Sequence, residues 1–238
     1  MSVAELFSRY FSNASICRIL LAAMDSFFKR GFHATSTRDI AKRAKLSPAA
    51  VYVHFRSKEE LLFTVSIVAA RWAFGRILAA SERGGTPPER LRRLVSAHVS
   101  CHAALHSVMY VANYEFRALS PQQRRKVIDI REQIEALFAD CLAEGCASGD
   151  FYVEDIRLTK IAIVSLCVSV LNWFSLRGRL TPESLGDRYA DLVLAMVTRL
   201  NLGQDPRIAK SGSRPGILAR ASPAPPPSPR GTPDRRTT

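Results

Sequence analysis

Few signatures of enzymes or of disulfide-bonded proteins occur in this sequence. Its 238 residues include five cysteines, an odd number, and no Cys-x-x-Cys pair, so we interpret the cysteines as reduced core residues. No Gly-x-Ser-x-Gly, P-loop or dinucleotide-binding motif is present, although enzymes built on these motifs need them to place a nucleophile or a phosphate. We therefore predict that the chain is not an enzyme and needs no cofactor.

Long hydrophobic runs are also missing. The most apolar segment, Ile161 to Phe174, has 14 residues, whereas an α-helix needs about 20 to cross a bilayer. Residues 1–13 lack the continuous apolar stretch of a signal peptide. The sequence therefore predicts a cytoplasmic protein that makes no membrane contact, and residues 1–12 are interpreted as a flexible N-terminus.

Strand-type alternation is scarce, whereas apolar residues recur at helical spacing in four stretches. These are Ile16, Leu20, Ala23 and Phe27; Leu61, Val65, Val68 and Trp72; Val127, Ile130, Ile134, Leu137 and Cys141; and Tyr189, Leu192, Met196 and Leu200. Helix-starting capping boxes are predicted at Ser57–Glu60, Thr86–Glu89 and Ser120–Gln123. Gly31, Gly145 and Gly149 are predicted to end helices. The chain is therefore predicted to be all-α.

Positive charge is concentrated at the two ends of the chain. In total, 34 Lys and Arg stand against 21 Asp and Glu, a net charge of +13, which favours an anionic partner such as nucleic acid. Residues 1–66 carry ten basic and five acidic side chains, and residues 203–238 carry seven and two. The second of these segments also contains eight of the 13 prolines, so we expect a disordered tail there.

A helix-turn-helix pattern lies at residues 36–55. Ser36 and Asp39 form a capping-box-like start to a short helix that runs to Ala44, and Ser47 with Pro48 starts a second short helix after a tight turn. A small packing core is predicted from Ile40, Ala41, Ala44, Leu46 and Val51. The second helix of such a pair fits the major groove of DNA.

This pattern and its surroundings resemble the N-terminal domain of TetR-family repressors. Residues 16–66 contain, in order, Phe-Phe-x-x-Gly-Phe, Ala-Thr-Ser-Thr-x-Asp-Ile-Ala, Leu-Ser-x-x-x-Val-Tyr-x-His-Phe and Ser-Lys-Glu-Glu-Leu. The resemblance implies about nine helices, with a three-helix DNA-binding head at 13–60 and a helical ligand-binding and dimerisation body at 61–202, ahead of the tail at 203–238. It also implies a homodimeric repressor of operator DNA that pairs through helices at about 154–176 and 183–201.

The resemblance assigns a DNA-binding surface within the head. Positions that contact phosphates correspond to Thr37, Ser47, Tyr52, His54 and Lys58, while Pro48, Ala49 and Ala50 lie nearest the bases. Arg38 is a flanking basic residue of the same surface. The family usually has glycine in the turn, where this chain has Lys45; a non-glycine residue in a left-handed turn costs about 1–2 kcal/mol. Lys45 either adds a phosphate contact or is a solvated surface lysine.

The body resembles the subgroup of TetR-type repressors that controls lipid, steroid or fatty-acid breakdown and senses acyl-CoA thioesters. The resemblance rests on Asn-Tyr-Glu-Phe-Arg-Ala-Leu at 113–119 and on Asn-Trp-Phe at 172–174 before Gly-Arg-Leu-Thr at 178–181. An apolar or acyl-type effector needs an apolar tunnel with a polar mouth. The residues predicted to bind it are Trp72, His106, Met109, Tyr110, Phe116, Arg117, Leu166, Val170 and Trp173. Binding would swing the helix that starts at Ser57 and release the operator.

Two alternative functions remain open at this point. His98, His102 and His106 recur at intervals of four residues and would line one helix face, as two histidines of a metal site can, so a metal-responsive repressor is one alternative. The other is a nonspecific DNA-binding protein that uses its basic tail. A specific repressor should prefer its operator over other DNA by about 10³ or more.

Overall fold

Ten α-helices and two short 3-10 turns make up the regular structure of residues 1–198, the part of the chain that the computed structural model describes. No strand occurs among these residues, so the predicted all-α class is confirmed. There is one helix more than the sequence predicts. The expected disordered tail at 203–238, and residues 199–202 of the expected body, lie outside the described residues.

The additional helix, α1 (Val3–Tyr10), occupies the segment for which the sequence predicts a flexible terminus, and that prediction is wrong. Ser2 and Glu5 form a reciprocal capping box at its start. Leu6 and Phe7 are completely buried, and α1 packs against α2 (Ala14–Arg30). An isolated helix this short is unstable in water, so its order comes from burying these two side chains.

The head consists of α2, α3 (Thr37–Ala44) and α4 (Pro48–His54). Gly31 ends α2 with a φ of 79°, a left-handed value that suits glycine. The capping box of Ser36 and Asp39 begins α3, and the Ser47 hydroxyl caps α4 by accepting from the Ala50 N–H at 3.1 Å. Both hydrogen-bonding patterns match the sequence prediction.

Six helices form the body. They are α5 (Lys58–Ser81), α6 (Pro87–Ala104), α7 (His106–Tyr114), α8 (Pro121–Ser148), α9 (Ile156–Ser169) and α10 (Pro182–Val197). Helix α5 contacts α2 of the head and also α6, α7 and α8 of the body. It is long and apolar enough to cross a membrane by those two criteria alone, but half of its most apolar stretch is buried inside the protein, as expected for a central helix of a helical core.

The helix starts match the predicted capping boxes at two of three positions. Capping boxes form at Thr86 and Ser120, as predicted. At Ser57 the hydroxyl caps α5, but the Glu60 carboxylate accepts from the Arg56 N–H at 2.7 Å, so the predicted reciprocal box is absent there.

Of the two glycines predicted to end α8, only one does so. Gly149 ends the helix with a φ of 80°. Gly145 lies inside the helix. The Phe151 ring packs against it so closely that a Cβ atom there would stand 2.0 Å from that ring. Glycine at 145 therefore serves close packing and not helix termination.

Candidate functional site

Helix α4 turns one side into the head and the other towards solvent. Val51 is completely buried and Phe55 nearly so, and they fix the helix against α3. On the outer side Tyr52 is 51% exposed and Val53 is 78% exposed. The three residues predicted to lie nearest the bases are exposed or half-buried: Pro48, Ala49 and Ala50. A short helix with small side chains at its start can approach base edges closely.

Val53 is a candidate DNA contact that the sequence reasoning misses. It is the most exposed of the large apolar side chains in the described residues, and it lies on the same outer side of α4 as Tyr52. Its position between Tyr52 and His54 in the family motif is the signal that was available in the sequence.

A surface groove beside α4 brings together three of the predicted phosphate contacts, Thr37, Tyr52 and Lys58. The Thr37 hydroxyl and the Tyr52 hydroxyl lie 2.9 Å apart in a hydrogen bond. Arg56, which also lines the groove, and Arg38 on α3 are both exposed. Cationic and hydroxyl donors around one groove suit a phosphate oxygen.

Lys58 has a second role that the sequence does not reveal. Its ammonium donates to the backbone carbonyls of Phe32 at 3.0 Å, Thr35 at 3.1 Å and His33 at 3.4 Å, and lies 4.3 Å from the centre of the Phe32 ring. The first residue of α5 therefore holds the loop between α2 and α3 in place. Helix α5 and the head are therefore in direct contact at this point.

In the turn between α3 and α4, Lys45 occupies the position where the family usually has glycine. Lys45 has φ 55° and ψ 47° and is the one non-glycine residue with positive φ among residues 1–198. The Arg18 guanidinium donates to the carbonyl oxygens of Ala44 at 2.8 Å and Lys45 at 3.2 Å. These bonds support the left-handed backbone, while the Lys45 side chain remains exposed.

The body contains a cavity of about 180 Å³ between α5, α6, α7, α8 and α9. Its wall is formed mainly by small and aliphatic side chains, with a few polar groups among them. The lining residues are Ser66, Ala69, Ala70, Ala73, His98, His102, Met109, Ala112, Asn113, Arg131, Ile134, Glu135, Val164 and Val168. The cavity is partly open to solvent, and a concave space that combines aliphatic side chains with polar groups can serve as a small-molecule site.

Two neutral imidazoles face this cavity. Burial lowers the pKa of His98 well below its usual range, and the neighbouring His102 and Arg131 lower it further. Burial also lowers the pKa of His102 to about 4, although a hydrogen bond between its Nδ1 and the His98 carbonyl, at 2.9 Å, opposes the shift. Both rings are therefore uncharged near neutral pH.

Arg131 is the cation of the cavity wall. One of its guanidinium nitrogens donates to the Ala112 carbonyl at 2.9 Å, and the group lies 4.6 Å from the centre of the Phe116 ring. Glu135, one turn along α8, is paired with Lys160 at 2.8 Å, and no carboxylate in the described part of the chain lies within ion-pair distance of Arg131. Burial lowers the pKa of this guanidinium, and the negative charge of Glu135 partly opposes that shift.

Of the residues predicted to bind an effector, Met109 lines the cavity. The others lie elsewhere in the body: Trp72, His106, Tyr110, Phe116, Arg117, Leu166, Val170 and Trp173. Large side chains fill space, whereas a cavity remains beside small ones such as Ala69 and Ala73. The predicted residues are mostly large side chains. They do not include the small residues of α5 or the polar residues of α6 and α8 that line the cavity.

The predicted alignment of three histidines on one helix face is wrong. Helix α6 ends at Ala104, Leu105 breaks the helical path, and His106 begins α7 with its Nε2 3.0 Å from the Leu171 carbonyl oxygen. His98 and His102 alone remain together, with ring centres 4.8 Å apart. Within residues 1–198, no three His, Cys, Asp or Glu side chains are grouped so that they could hold a metal ion.

Comparisons with known proteins agree with this arrangement of a head and a helical body. Residues 19–65 match the family model described as bacterial regulatory proteins of the tetR family, and residues 84–197 match the tetracyclin repressor-like C-terminal domain. The HTH-type transcriptional repressor KstR2 of Mycobacterium tuberculosis is 30% identical over 182 residues, 76% of this chain and 90% of the relative.

Two further proteins show the same likeness. The fatty acid metabolism regulator protein of Bacillus subtilis is 26% identical over 60% of this chain and 74% of its own length. The crystal structure of a tetR-family regulatory protein from Rhodococcus RHA1 superimposes with a TM-score of 0.75 at 34% identity, over 79% of this chain and 99% of that protein.

Proposed function

Because the chain belongs to the TetR family of bacterial transcriptional repressors, we propose that it is a cytoplasmic, homodimeric repressor that leaves its operator when an acyl-type small molecule fills the cavity of the body. The observation that carries the proposal is the connection between the two sites. Helix α5 lines the cavity with Ser66, Ala69 and Ala73, and its first residue, Lys58, holds the α2–α3 loop of the head. This connection supports a regulatory role.

In DNA binding, the groove beside α4 and the exposed side of α4 would have separate roles. Thr37, Tyr52, Arg38 and Arg56 would contact phosphates and position the head, because hydroxyl and guanidinium groups suit phosphate oxygens. Val53 on the exposed side of α4 would contact a thymine methyl in the major groove, as do the small residues at the start of α4.

Exposed apolar side chains support a dimer. Leu158 and Ile161 on α9, and Leu192 and Met196 on α10, are between 46% and 64% exposed. These helices are the ones that the family resemblance implicates in pairing, and aliphatic side chains grouped on neighbouring helices favour burial against a second copy. A dimer also places two recognition helices on half-sites about 34 Å apart.

The cavity and the relatives both support an acyl-type effector. The B. subtilis relative is named for fatty acid metabolism, and the cavity combines aliphatic side chains with the Arg131 guanidinium. An acyl chain fits the wall, and its carboxylate or thioester carbonyl fits Arg131. A cavity of about 180 Å³ is small for a ligand site, so a larger ligand would push α5 and α8 apart. Because Lys58 connects α5 to the head, this expansion shifts the population away from the DNA-binding state.

Selection of bound sequences from a random DNA pool, followed by competition with acyl-CoA thioesters of increasing chain length, tests the proposal. We expect one palindromic operator to be enriched, native mass spectrometry to show two chains per operator, and at least one thioester to release it. Binding without sequence preference would favour the nonspecific DNA-binding alternative, and release by a transition metal alone would favour the metal-responsive one.

Arg38→Ala is expected to weaken operator binding and to reduce the salt dependence of the affinity. Losing one phosphate contact lowers the slope of log K against log[salt] by about 0.9. Arg83→Ala is the matched control, since Arg83 is also exposed but follows the far end of α5, about 36 Å from its start. Equal salt slopes for the two variants, measured by fluorescence anisotropy, would remove Arg38 from the interface.

A further inference from the structure

Two buried polar atoms in the wall of the cavity have no hydrogen-bond partner. They are the Ser66 Oγ and the His98 Nδ1, in side chains that are 0% and 3% exposed. They are the only such side-chain atoms in the described part of the chain, and both residues line the same cavity. Buried polar atoms in proteins nearly always have a partner, so each exception needs an explanation.

Another buried serine, Ser26, is an example of a buried hydroxyl with a structural role in this protein. Ser26 is likewise 0% exposed and lies inside a helix, and its Oγ donates to the Ala22 carbonyl at 2.7 Å. Ser66 also lies inside a helix, but its hydroxyl makes no such bond. Its hydrogen-bonding capacity is therefore left for something inside the cavity.

The chemistry of the wall defines what would satisfy these atoms. The Ser66 hydroxyl can donate and accept, and the uncharged His98 ring offers either a donor or an acceptor at Nδ1. Arg131 supplies a cation, Asn113 and Glu135 are further polar groups of the wall, and much of the rest is aliphatic, as at Met109 and Val164. A purely hydrocarbon ligand tail would fill the apolar part but leave both orphan atoms unpaired.

We propose that the cavity selects an acyl group that carries an additional hydroxyl or oxo oxygen, that Ser66 and His98 bind this oxygen, and that Arg131 faces the carboxylate or thioester end. The inference rests on the proposed function, in that the cavity is taken to be the effector site, and it makes Ser66 and His98 the residues that determine specificity. Sites built to hydrogen-bond a polar ligand group discriminate strongly against analogues that lack it.

Calorimetric titration of the full-length protein with 5-oxohexanoate and hexanoate tests the inference, because the two acids differ by one carbonyl oxygen. We expect 5-oxohexanoate to bind at least about tenfold more tightly. Ser66→Ala and His98→Phe should each reduce that ratio by weakening 5-oxohexanoate alone, and the double variant should bring it close to one. Equal affinities in the unmodified protein, a ratio that Ser66→Ala leaves unchanged, or no binding of either acid would overturn the inference.

Thermal unfolding without ligand gives an independent readout. Ser66→Ala removes an unpaired hydroxyl and should leave the Tm unchanged or higher, whereas the matched control Ser26→Ala breaks a buried hydrogen bond and should lower it. A drop in Tm with Ser66→Ala as large as that with Ser26→Ala would show that Ser66 is structural and would contradict the proposal.

Operator binding separates this inference from the proposed function. If 5-oxohexanoate binds preferentially but no acid or thioester changes operator affinity, the ligand specificity stands and the effector function fails. If thioesters release the operator but oxygenated and plain acyl groups act equally, the function stands and the assignment of Ser66 and His98 fails.

Discussion

Phe7→Ala is expected to lower the free energy of unfolding by about 3–5 kcal/mol, the usual cost of truncating a buried phenylalanine. Phe7 is 0% exposed, and its ring is part of the contact between α1 and α2. Since α2 also belongs to the DNA-binding head, the loss should extend to the head. For a chain of this size the change corresponds to a fall in Tm of about 6–20 °C, measurable by circular dichroism.

Tyr10→Ala in the same helix is the control for that experiment. Tyr10 is 38% exposed, so its truncation removes less buried surface and should cost clearly less than that of Phe7. Both variants are compared at one protein concentration, because dimerisation makes the Tm depend on concentration. A change below about 0.5 kcal/mol for Phe7→Ala, typical of a surface site, would show that the N-terminal segment is not docked in solution.

Acidification from pH 7.5 to pH 5 is expected to lower the free energy of unfolding by about 2 kcal/mol through His102 alone. The pKa of His102 is about 4 in the folded protein and about 6.5 in the unfolded chain. Between these values the unfolded chain binds more protons than the folded chain, so stability falls as the pH falls. His98, whose pKa burial also lowers, adds a loss of the same sign. The contribution of His102 to the free energy of unfolding is fully present above about pH 6.5 and is lost by about pH 4.

Urea unfolding at the two pH values measures this loss. His102→Gln removes the titrating group and should flatten the pH dependence, while His33→Gln changes an exposed histidine and should retain it. A pH dependence in His102→Gln equal to that of the unmodified protein would place the origin of the effect elsewhere.

The head could be predicted almost completely from the sequence because its determinants are local. Side-chain caps at Ser36 and Ser47 act within three residues along the chain, and the left-handed turn at Lys45 follows from the length of the linker between two capped helices. Such signals depend on neighbours in sequence, so the sequence by itself determined the helix-turn-helix and the family, although not the exposure of Val53.

The cavity and the order of the N-terminus were decided only by the tertiary structure. Whether Leu6 and Phe7 find a surface to cover depends on α2, and whether space remains beside Ala69 and Ala73 depends on how four other helices pack around α5. Periodicity reports which residues are apolar, but not where large side chains meet small ones across helices. The two unpaired atoms of Ser66 and His98 lie on different helices, and only packing brings them to one cavity.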